Sequence, residues 1–339
     1  MERYFLGNNT GRGFVENYTS ELKGKRRVVL LKGGPGTGKS SILKRIAKEA
    51  RDRGYDYELW YCSGDPNSLD GVYVKDTNAI VMDATAPHAT GADLPVMRDK
   101  IYDLATSLSY DKLNKHRVDI EKCIFDKKYS FMRAYHHLKC ALCHYQNQIE
   151  LETLGLDVPN IKAYAAVVAT EIKGLTRKTR PSETRRKLFT DAICPSGEST
   201  FYDHLRGRRI FKVTGKDAAT IAFFEELTGL VWGGAVLLDA LDPDYVKGFI
   251  TGDIAVVCDT GHLDDNIYES INLGIYETGA RTDGAEDEKN ASTLDIAFAV
   301  EDLNRARASH LSSEKYFVEA MDFDNNAKIY ENIFNDVFV

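Results

Sequence analysis

The sequence has no long apolar run and no excess of positive charge. None of its apolar stretches approaches the roughly 18 residues that a membrane-spanning helix needs. The formal net charge of −7 argues against a general role in binding nucleic acid or anionic membrane surfaces. Residues 1–7 lack the apolar core of a signal peptide. We therefore expect a cytoplasmic protein that binds neither membranes nor nucleic acid.

Cysteine is also scarce. Six cysteines among 339 residues, without an export signal, indicate reduced thiols rather than a disulfide framework. The run from Cys140 to His144 has the C-x-x-C-H spacing found in haem attachment and in some zinc sites. No second C-x-x-C pair completes a four-ligand set, so we interpret these residues as ordinary members of an amphipathic helix.

What the sequence does contain is a complete phosphate-binding pattern. Residues 33–40 fit G-x-x-x-x-G-K-[ST] at every position. The apolar run Val28–Leu31 before them predicts a buried strand, and apolar residues at helical spacing follow them. Backbone N–H groups of such a loop, together with the start of the helix, bind phosphate. The predicted nucleotide-binding residues are Gly33, Gly34, Pro35, Gly36, Thr37, Gly38, Lys39, Ser40 and Ser41.

The same pattern assigns roles to single side chains. Lys39 is expected to reach the β- and γ-phosphates of a bound nucleotide, and the Ser40 hydroxyl to ligate Mg²⁺. The apolar strand Ala79–Asp83 ends in a carboxylate that is expected to support the same Mg²⁺. No guanine-reading motif follows that strand. The predicted cofactors are therefore ATP and Mg²⁺.

A catalytic group for hydrolysis is harder to find. Many ATPases have a glutamate directly after the carboxylate that ends the strand corresponding to Ala79–Asp83, but here that residue is Ala84. Asp70, Asp65 and His88 are the remaining candidates near the strand ends, with Lys39 as the phosphate-binding cation. The absence of the usual glutamate predicts slow turnover.

The second half of the chain repeats the first. The aligned pairs are Gly33 with Gly215, Asp65 with Asp242, Asp70 with Lys247, Asp83 with Asp259, and His88 with His262. In this alignment Lys39 becomes Ile221 and Ser40 becomes Ala222. The second loop is therefore predicted not to bind Mg-nucleotide, which leaves one site per chain. Because Asp70 is lost together with Lys39, it ranks above Asp65 as a catalytic candidate.

The second half could still supply a cation to the first loop, as an arginine finger does. The candidates are Arg206, Arg208, Arg209, Lys247 and Arg281.

Several of these motifs are similar to those of bacterial tandem P-loop ATP-binding proteins. The similar segments are residues 31–40, Cys62–Asp65 with Ser68–Gly71, and Asp83–His88. The resemblance covers nearly the whole chain and implies an ATP-binding protein with an intact loop in each half. This chain departs from that pattern because its second loop is degenerate.

Together these features predict an α/β protein built from tandem P-loop NTPase-like three-layer domains. The active domain is expected at 1–188, with a helical insert at about 97–175, and the degenerate domain at 189–339, with a helical C-terminal tail. A basic, Pro-broken linker is expected at 173–187. The predicted function is slow Mg-dependent ATP hydrolysis. A kinase and a nucleotide-sensing interaction protein, with a partner on the helical regions, remain as alternatives, and the oligomeric state is not indicated.

Overall fold

The computed structural model describes residues 1–86, 88, 91–176, 185–259 and 267–339. It is an α/β protein with two six-stranded mixed sheets, two small hairpins and eight α-helices in those residues. No helix in these ranges has the length and apolar character that crossing a membrane requires.

Each large sheet is formed almost entirely by one half of the sequence. The strands of the first sheet are β1 (Glu2–Phe5), β4 (Arg27–Lys32), β5 (Tyr57–Tyr61), β6 (Leu69–Val74), β7 (Ala79–Asp83) and β8 (Asp99–Asp103). The strands of the second are β9 (Arg186–Leu188), β12 (Arg209–Thr214), β13 (Ala235–Leu238), β14 (Val246–Thr251), β15 (Ile254–Cys258) and β16 (Ile267–Asn272). The hairpin strands are β2 (Gly7–Thr10), β3 (Gly13–Glu16), β10 (Asp191–Cys194) and β11 (Gly197–Thr200).

The helices also occur in corresponding positions of the two halves. They are α1 (Tyr18–Glu21), α2 (Lys39–Asp52), α3 (Tyr110–Asn114), α4 (Arg117–Thr153), α5 (Val158–Leu175), α6 (Asp217–Leu230), α7 (Ala285–Ala320) and α8 (Phe323–Phe338). In each half the central strand leads into one helix, α2 or α6. Each half also ends with a long helix and a shorter one.

The internal repeat is confirmed by the strand order. The first sheet runs β1-β5-β6-β7-β4-β8, and the second runs β9-β13-β14-β15-β12-β16. The corresponding residues Phe5 and Phe189 exchange backbone hydrogen bonds of 2.9 and 3.1 Å. Such a reciprocal pair is the geometry of a pseudo-two-fold axis, so the halves are related as the subunits of a dimer are.

The two halves exchange their shorter terminal helices. One core combines α2 and the C-terminal helix α8 with the first sheet, and another combines α5 and α6 with the second sheet. The opposite faces of both sheets contribute to a third, shared core. The predicted three-layer arrangement of each half is therefore wrong. Helices cover one face of each sheet, and the other face is apolar because it packs within the shared core.

The long helices α4 and α7 pack against each other along their length. They have 37 and 36 residues. Small and aliphatic residues at their contact, with Ile193 of the β10 hairpin and Leu241, form a fourth apolar cluster. The pair therefore packs against the β10 hairpin and the loop after β13.

The structure also moves three predicted boundaries. Residues 99–103, expected in the helical insert, form strand β8 beside β4. Residues 186–188, expected in the first domain, pair with β13 of the second sheet. The helical C-terminal tail, expected in the second domain, contributes α8 to the first core. Residues 177–184 of the predicted linker lie outside the described residues.

Three aligned pairs in the repeat are wrong. Lys39 does not correspond to Ile221, nor Ser40 to Ala222, because α2 begins at Lys39 whereas α6 begins at Asp217. The third pair is Asp83 and Asp259. Arg27 pairs with Ala79 in the first sheet, whereas the corresponding Arg209 pairs with Ile254 in the second. This register makes Cys258, not Asp259, the counterpart of Asp83. The difference arises because the turn before β15 is two residues shorter than the turn before β7, whereas the predicted alignment makes it one residue shorter. The Mg²⁺-binding carboxylate predicted for the first half is therefore absent from the second.

Candidate functional site

The glycine-rich loop lies between β4 and α2 and bends through left-handed backbone conformations. Gly36 and Gly38 have φ values of 66° and 87°, which favour glycine over residues with a side chain. Gly38 directly precedes α2, and no side chain caps the N-terminus of this helix. The first N–H groups of α2 therefore have no intrahelical acceptor and no side-chain cap.

The C-terminal helices α7 and α8 contact this loop. A Cβ atom at Gly36 would lie 2.9 Å from the carbonyl oxygen of Glu314 in α7, and one at Gly34 would lie 3.1 Å from the Phe317 ring. The side-chain amide of Asn326 in α8 donates to the carbonyl of Thr37 at 3.1 Å. The loop is thus in contact with residues more than 270 positions away in the sequence.

Lys39 and Asp83 meet at the floor of the loop. The Lys39 ammonium donates to the carbonyl oxygens of Gly33 and Gly34 at 2.7 and 2.8 Å. Its nitrogen lies 3.7 Å from a carboxylate oxygen of Asp83. The Thr85 backbone N–H donates to Asp83 at 2.8 Å. The last residue of β7 is therefore oriented toward the loop.

The remaining predicted loop residues differ in their exposure and contacts. Thr37 is buried, and its hydroxyl donates to the carbonyl of Gly34 at 2.9 Å. Ser40 accepts a hydrogen bond from the Leu69 backbone N–H at 3.1 Å, which ties α2 to β6. Pro35 is half-buried within the loop, whereas Ser41 is exposed on α2.

Asp70 and His88 lie together behind this floor. Gly71 pairs with Met82 in the antiparallel register. Asp70, which precedes Gly71, therefore lies beside Asp83, which follows Met82. His88 Nε2 is 3.3 Å from an Asp70 carboxylate oxygen, and the Tyr18 hydroxyl donates to the same oxygen at 3.0 Å. Both Asp70 and His88 are buried.

Cys62 completes this group. Its sulfur, a carboxylate oxygen of Asp70 and an imidazole nitrogen of His88 all lie within 4.8 Å of one another. Burial raises the pKa of Asp70, His88 opposes that rise and Asp83 adds to it. Burial also raises the pKa of the Cys62 thiol. Sequence reasoning found Asp70 and His88 but did not assign Cys62 to the site, because only the pairing of β5, β6 and β7 brings the three side chains together.

Asp65 has a different environment from Asp70. It lies in the loop after β5 and is half-buried. Arg307 of α7 forms an ion pair with it at 3.2 Å. The structure therefore separates the three predicted catalytic candidates, since Asp65 contacts the long helix and the other two contact each other.

Two nitrogen-bearing side chains from the long helices approach Lys39. Lys127 of α4 and His310 of α7 contact each other at 3.2 Å. Burial lowers the pKa of Lys127, and the Lys39 ammonium adds to this effect. Burial, Lys127 and Lys39 together lower the pKa of His310 to about 4. No ion pair with a carboxylate involves Lys127 in the described ranges. Sequence analysis missed both residues because nothing local marks a helix face that meets a distant loop.

The corresponding position in the second half is closed by a carboxylate. Helix α6 begins at Asp217, only two residues after Gly215, so the long glycine-rich bend is absent. Glu152 of α4 accepts a hydrogen bond from the Ala218 backbone N–H at 3.0 Å. Gln148 donates to Asp217 and Glu152, both at 2.9 Å. An anionic side chain of the chain itself thus lies at the N-terminus of α6.

The cations predicted to act as fingers are engaged elsewhere. Arg208 pairs with Glu2 and Arg209 with Asp253, each at 2.8 Å. Lys247 pairs with buried Asp191. Arg206 is exposed, and exposed Arg281 pairs with its neighbour Asp283. The structure therefore engages four of these five away from the first loop, and Lys127 of α4 is a cation that interacts electrostatically with Lys39 instead.

A cavity of about 410 Å³ lies in the second half, at the region that corresponds to Asp70 and His88. Its polar lining includes Lys247, Asp191, Glu198 and His204. In the first half, the rings of Phe14 and Tyr18 pack against His88 in this region. His262, the aligned partner of His88, lies outside the described residues.

Comparisons with protein-family models, with curated proteins and with solved structures found no match for this chain. Functional inference therefore depends on the site itself.

Proposed function

We propose that the chain binds one Mg-ATP at residues 33–40 and hydrolyses it slowly. The observation that carries this proposal is the uncapped start of α2 behind a glycine-rich bend, with Lys39 and Asp83 3.7 Å apart at its floor. A helix N-terminus, a lysine and a strand-end carboxylate are the groups that bind phosphate and Mg²⁺ in P-loop proteins. The fold supplies all three at one edge of the first sheet.

The surrounding cations support a triphosphate rather than a smaller anion. Lys127 extends the positive region from Lys39 toward the long helices, and His310, whose pKa is lowered to about 4, adds a neutral imidazole beside it. A half-buried ammonium without a carboxylate partner is costly. An anion at the loop would offset that cost, and a γ-phosphate is the part of ATP that extends furthest along a P-loop.

Slow turnover is supported by the environment of the carboxylates. Asp70 is buried against Tyr18 and His88, and Asp65 is paired with Arg307. Ala84, after Asp83, has no side chain that orients water. Without a free base near the γ-phosphate, general-base catalysis contributes little.

Calorimetry with Mg-ATP and a phosphate-release assay without any further substrate test this function. We expect one bound nucleotide per chain and slow phosphate release that requires Mg²⁺. Binding without phosphate release would favour the kinase or the nucleotide-sensing alternative. Two equal sites per chain, or no binding of Mg-ATP, would contradict the proposal.

A nucleotide-sensing role has one specific observation in its favour. The outer face of α4 exposes Val118, Phe125, Tyr129 and Met132, which recur at helical spacing. Lys127 of the same helix faces the loop region. Hydrogen exchange that slows along α4 with ATP, but not with ADP, would support sensing. Unchanged exchange along α4 would argue against it.

A further inference from the structure

We propose that Cys62, Asp70 and His88 form a zinc-binding site beside the glycine-rich loop. The three ligand atoms come from three chain segments that meet at one edge of the first sheet. Cys62 follows β5, Asp70 lies in β6, and His88 follows β7. Thiolate, carboxylate and imidazole are zinc ligands, and three protein ligands with an open fourth position are common for zinc.

The distances fit a shared metal ion. All three ligand atoms lie within 4.8 Å of one another. Zinc bonds to nitrogen and oxygen are about 2.0–2.1 Å long, so two such ligands at a tetrahedral angle are separated by about 3.3 Å. His88 Nε2 and Asp70 Oδ2 are 3.3 Å apart. This separation is long for a hydrogen bond but fits two ligands of one zinc ion.

The polar contacts around the cluster also favour a metal site. The imidazole of His88 is buried, and within the described part of the chain its Nε2 faces Asp70 while its Nδ1 has no hydrogen-bond partner, so no other polar group competes for the ring. Backbone N–H groups of Gly64 and Asp65 donate to the Cys62 sulfur and oppose the rise in pKa that burial causes. The Tyr18 hydroxyl holds the Asp70 carboxylate at 3.0 Å. Partners of this kind orient metal ligands and strengthen their binding.

The second half provides an internal comparison. Lys247 takes the place of Asp70, and Asp239 takes the place of Cys62. There the Lys247 ammonium pairs with Asp191, so the protein itself supplies the positive charge at this position. In the first half, no lysine or arginine of the described residues pairs with Asp70. A bound divalent cation would supply the charge that Lys247 supplies in the second half.

The site is independent of the proposed nucleotide function, although the two lie close together. A zinc ion here would link the ends of three segments next to Asp83. It would also give Asp70 and His88 a ligand role in place of the catalytic role expected from the sequence.

The test is metal analysis of the full-length protein, purified without a histidine tag, loaded with Zn²⁺ and dialysed. We expect one zinc per chain. The variants Cys62→Ser, Asp70→Asn and His88→Gln should each weaken zinc binding at least about 100-fold, and Tyr18→Phe about 10-fold. Cobalt loading should give a thiolate charge-transfer band that Cys62→Ser removes.

The double variant Cys140→Ser/Cys143→Ser is the matched control, because it removes the C-x-x-C-H pair and should retain zinc. Lys39→Ala should also retain zinc, which separates this site from the nucleotide site. Circular dichroism checks that each variant is folded. If Cys62→Ser does not fold, two other measurements decide. The melting temperature of the wild type should fall when zinc is chelated, and Asp70→Asn should bind zinc more weakly than the wild type. Wild type without zinc after loading, or Cys62→Ser with unchanged zinc, would overturn the proposal.

Discussion

The two halves of this protein share a strand order but differ at the helix after the central strand. In the first half, glycines carry the chain around an open bend, and no side chain caps α2. In the second half, α6 begins immediately, and Glu152 accepts a hydrogen bond from its Ala218 N–H. One scaffold thus leaves the helix N-terminus without a side-chain cap in one copy and places its own carboxylate there in the other.

The comparison extends to the strand ends behind the two helices. The first half places Asp70, Asp83 and Cys62 there, and the second places Lys247, Cys258 and Asp239 at the corresponding positions. In the second half, the ammonium of Lys247 stands at the position of the Asp70 carboxylate and pairs with Asp191. The second half therefore neutralises its own carboxylates at the position where we propose that the first half binds a cation.

The largest effect is expected from Lys39→Ala. Loss of this ammonium removes charge-assisted bonds to phosphate, so Mg-ATP affinity should fall by more than about 100-fold. Ile221→Ala, at the position that the sequence alignment matches with Lys39, should leave affinity unchanged. Titration calorimetry on both variants measures this. Equal affinities of folded Lys39→Ala and wild type would remove the proposed difference between the halves.

Lys247→Met should destabilise the fold. It leaves the buried carboxylate of Asp191 without its cation, which costs about 2 kcal/mol of unfolding free energy. We expect less than for a fully buried pair because 29% of the Lys247 side chain is exposed. Urea denaturation measures the change, with Lys187→Met, on an exposed residue, as the control. A loss below about 0.5 kcal/mol, typical of a surface change, would show that the pair is not needed.

The third prediction concerns acid pH and His204 in the second half. Burial, assisted by Arg208, lowers the pKa of His204 from 6.5 to about 4. The unfolded chain therefore binds a proton on this residue between those pH values and the folded chain does not, so stability falls as pH decreases. Between pH 6.5 and pH 5 this amounts to about 1.5 kcal/mol. The pH dependence of urea unfolding should weaken by that amount in His204→Gln. The same dependence in His204→Gln and in the exposed-residue control His136→Gln would contradict the prediction.

The smallest effect is expected from Lys127→Ala. If Lys127 contacts the γ-phosphate, its loss should reduce the preference for ATP over ADP by about 10-fold, as for one charge-assisted bond. The exposed neighbour Lys128→Ala is the control. Competition binding with both nucleotides measures the ratio, and an unchanged ratio in Lys127→Ala would place Lys127 outside the nucleotide site.

Local patterns predicted the elements around the loop closely. The expected strand at Val28–Leu31 lies within β4, and Ala79–Asp83 is β7 at the same residues. These elements are short, apolar and bounded by turn residues, so their periodicity is clear. The alignment of Asp83 with Asp259 was wrong, because a one-residue change in strand register depends on pairing with β12.

What the sequence alone determined is the repeat, the glycine-rich loop and the loss of Lys39 and Ser40 from the second copy. Each depends on residues close together in the chain, where backbone geometry and side-chain chemistry can be interpreted directly. The tertiary structure decided which helices serve which half, because α8 crosses to the first core and α5 to the second. It also brought Lys127 to His310 and Cys62 to Asp70 and His88. Such contacts depend on packing between distant segments, which no local pattern specifies.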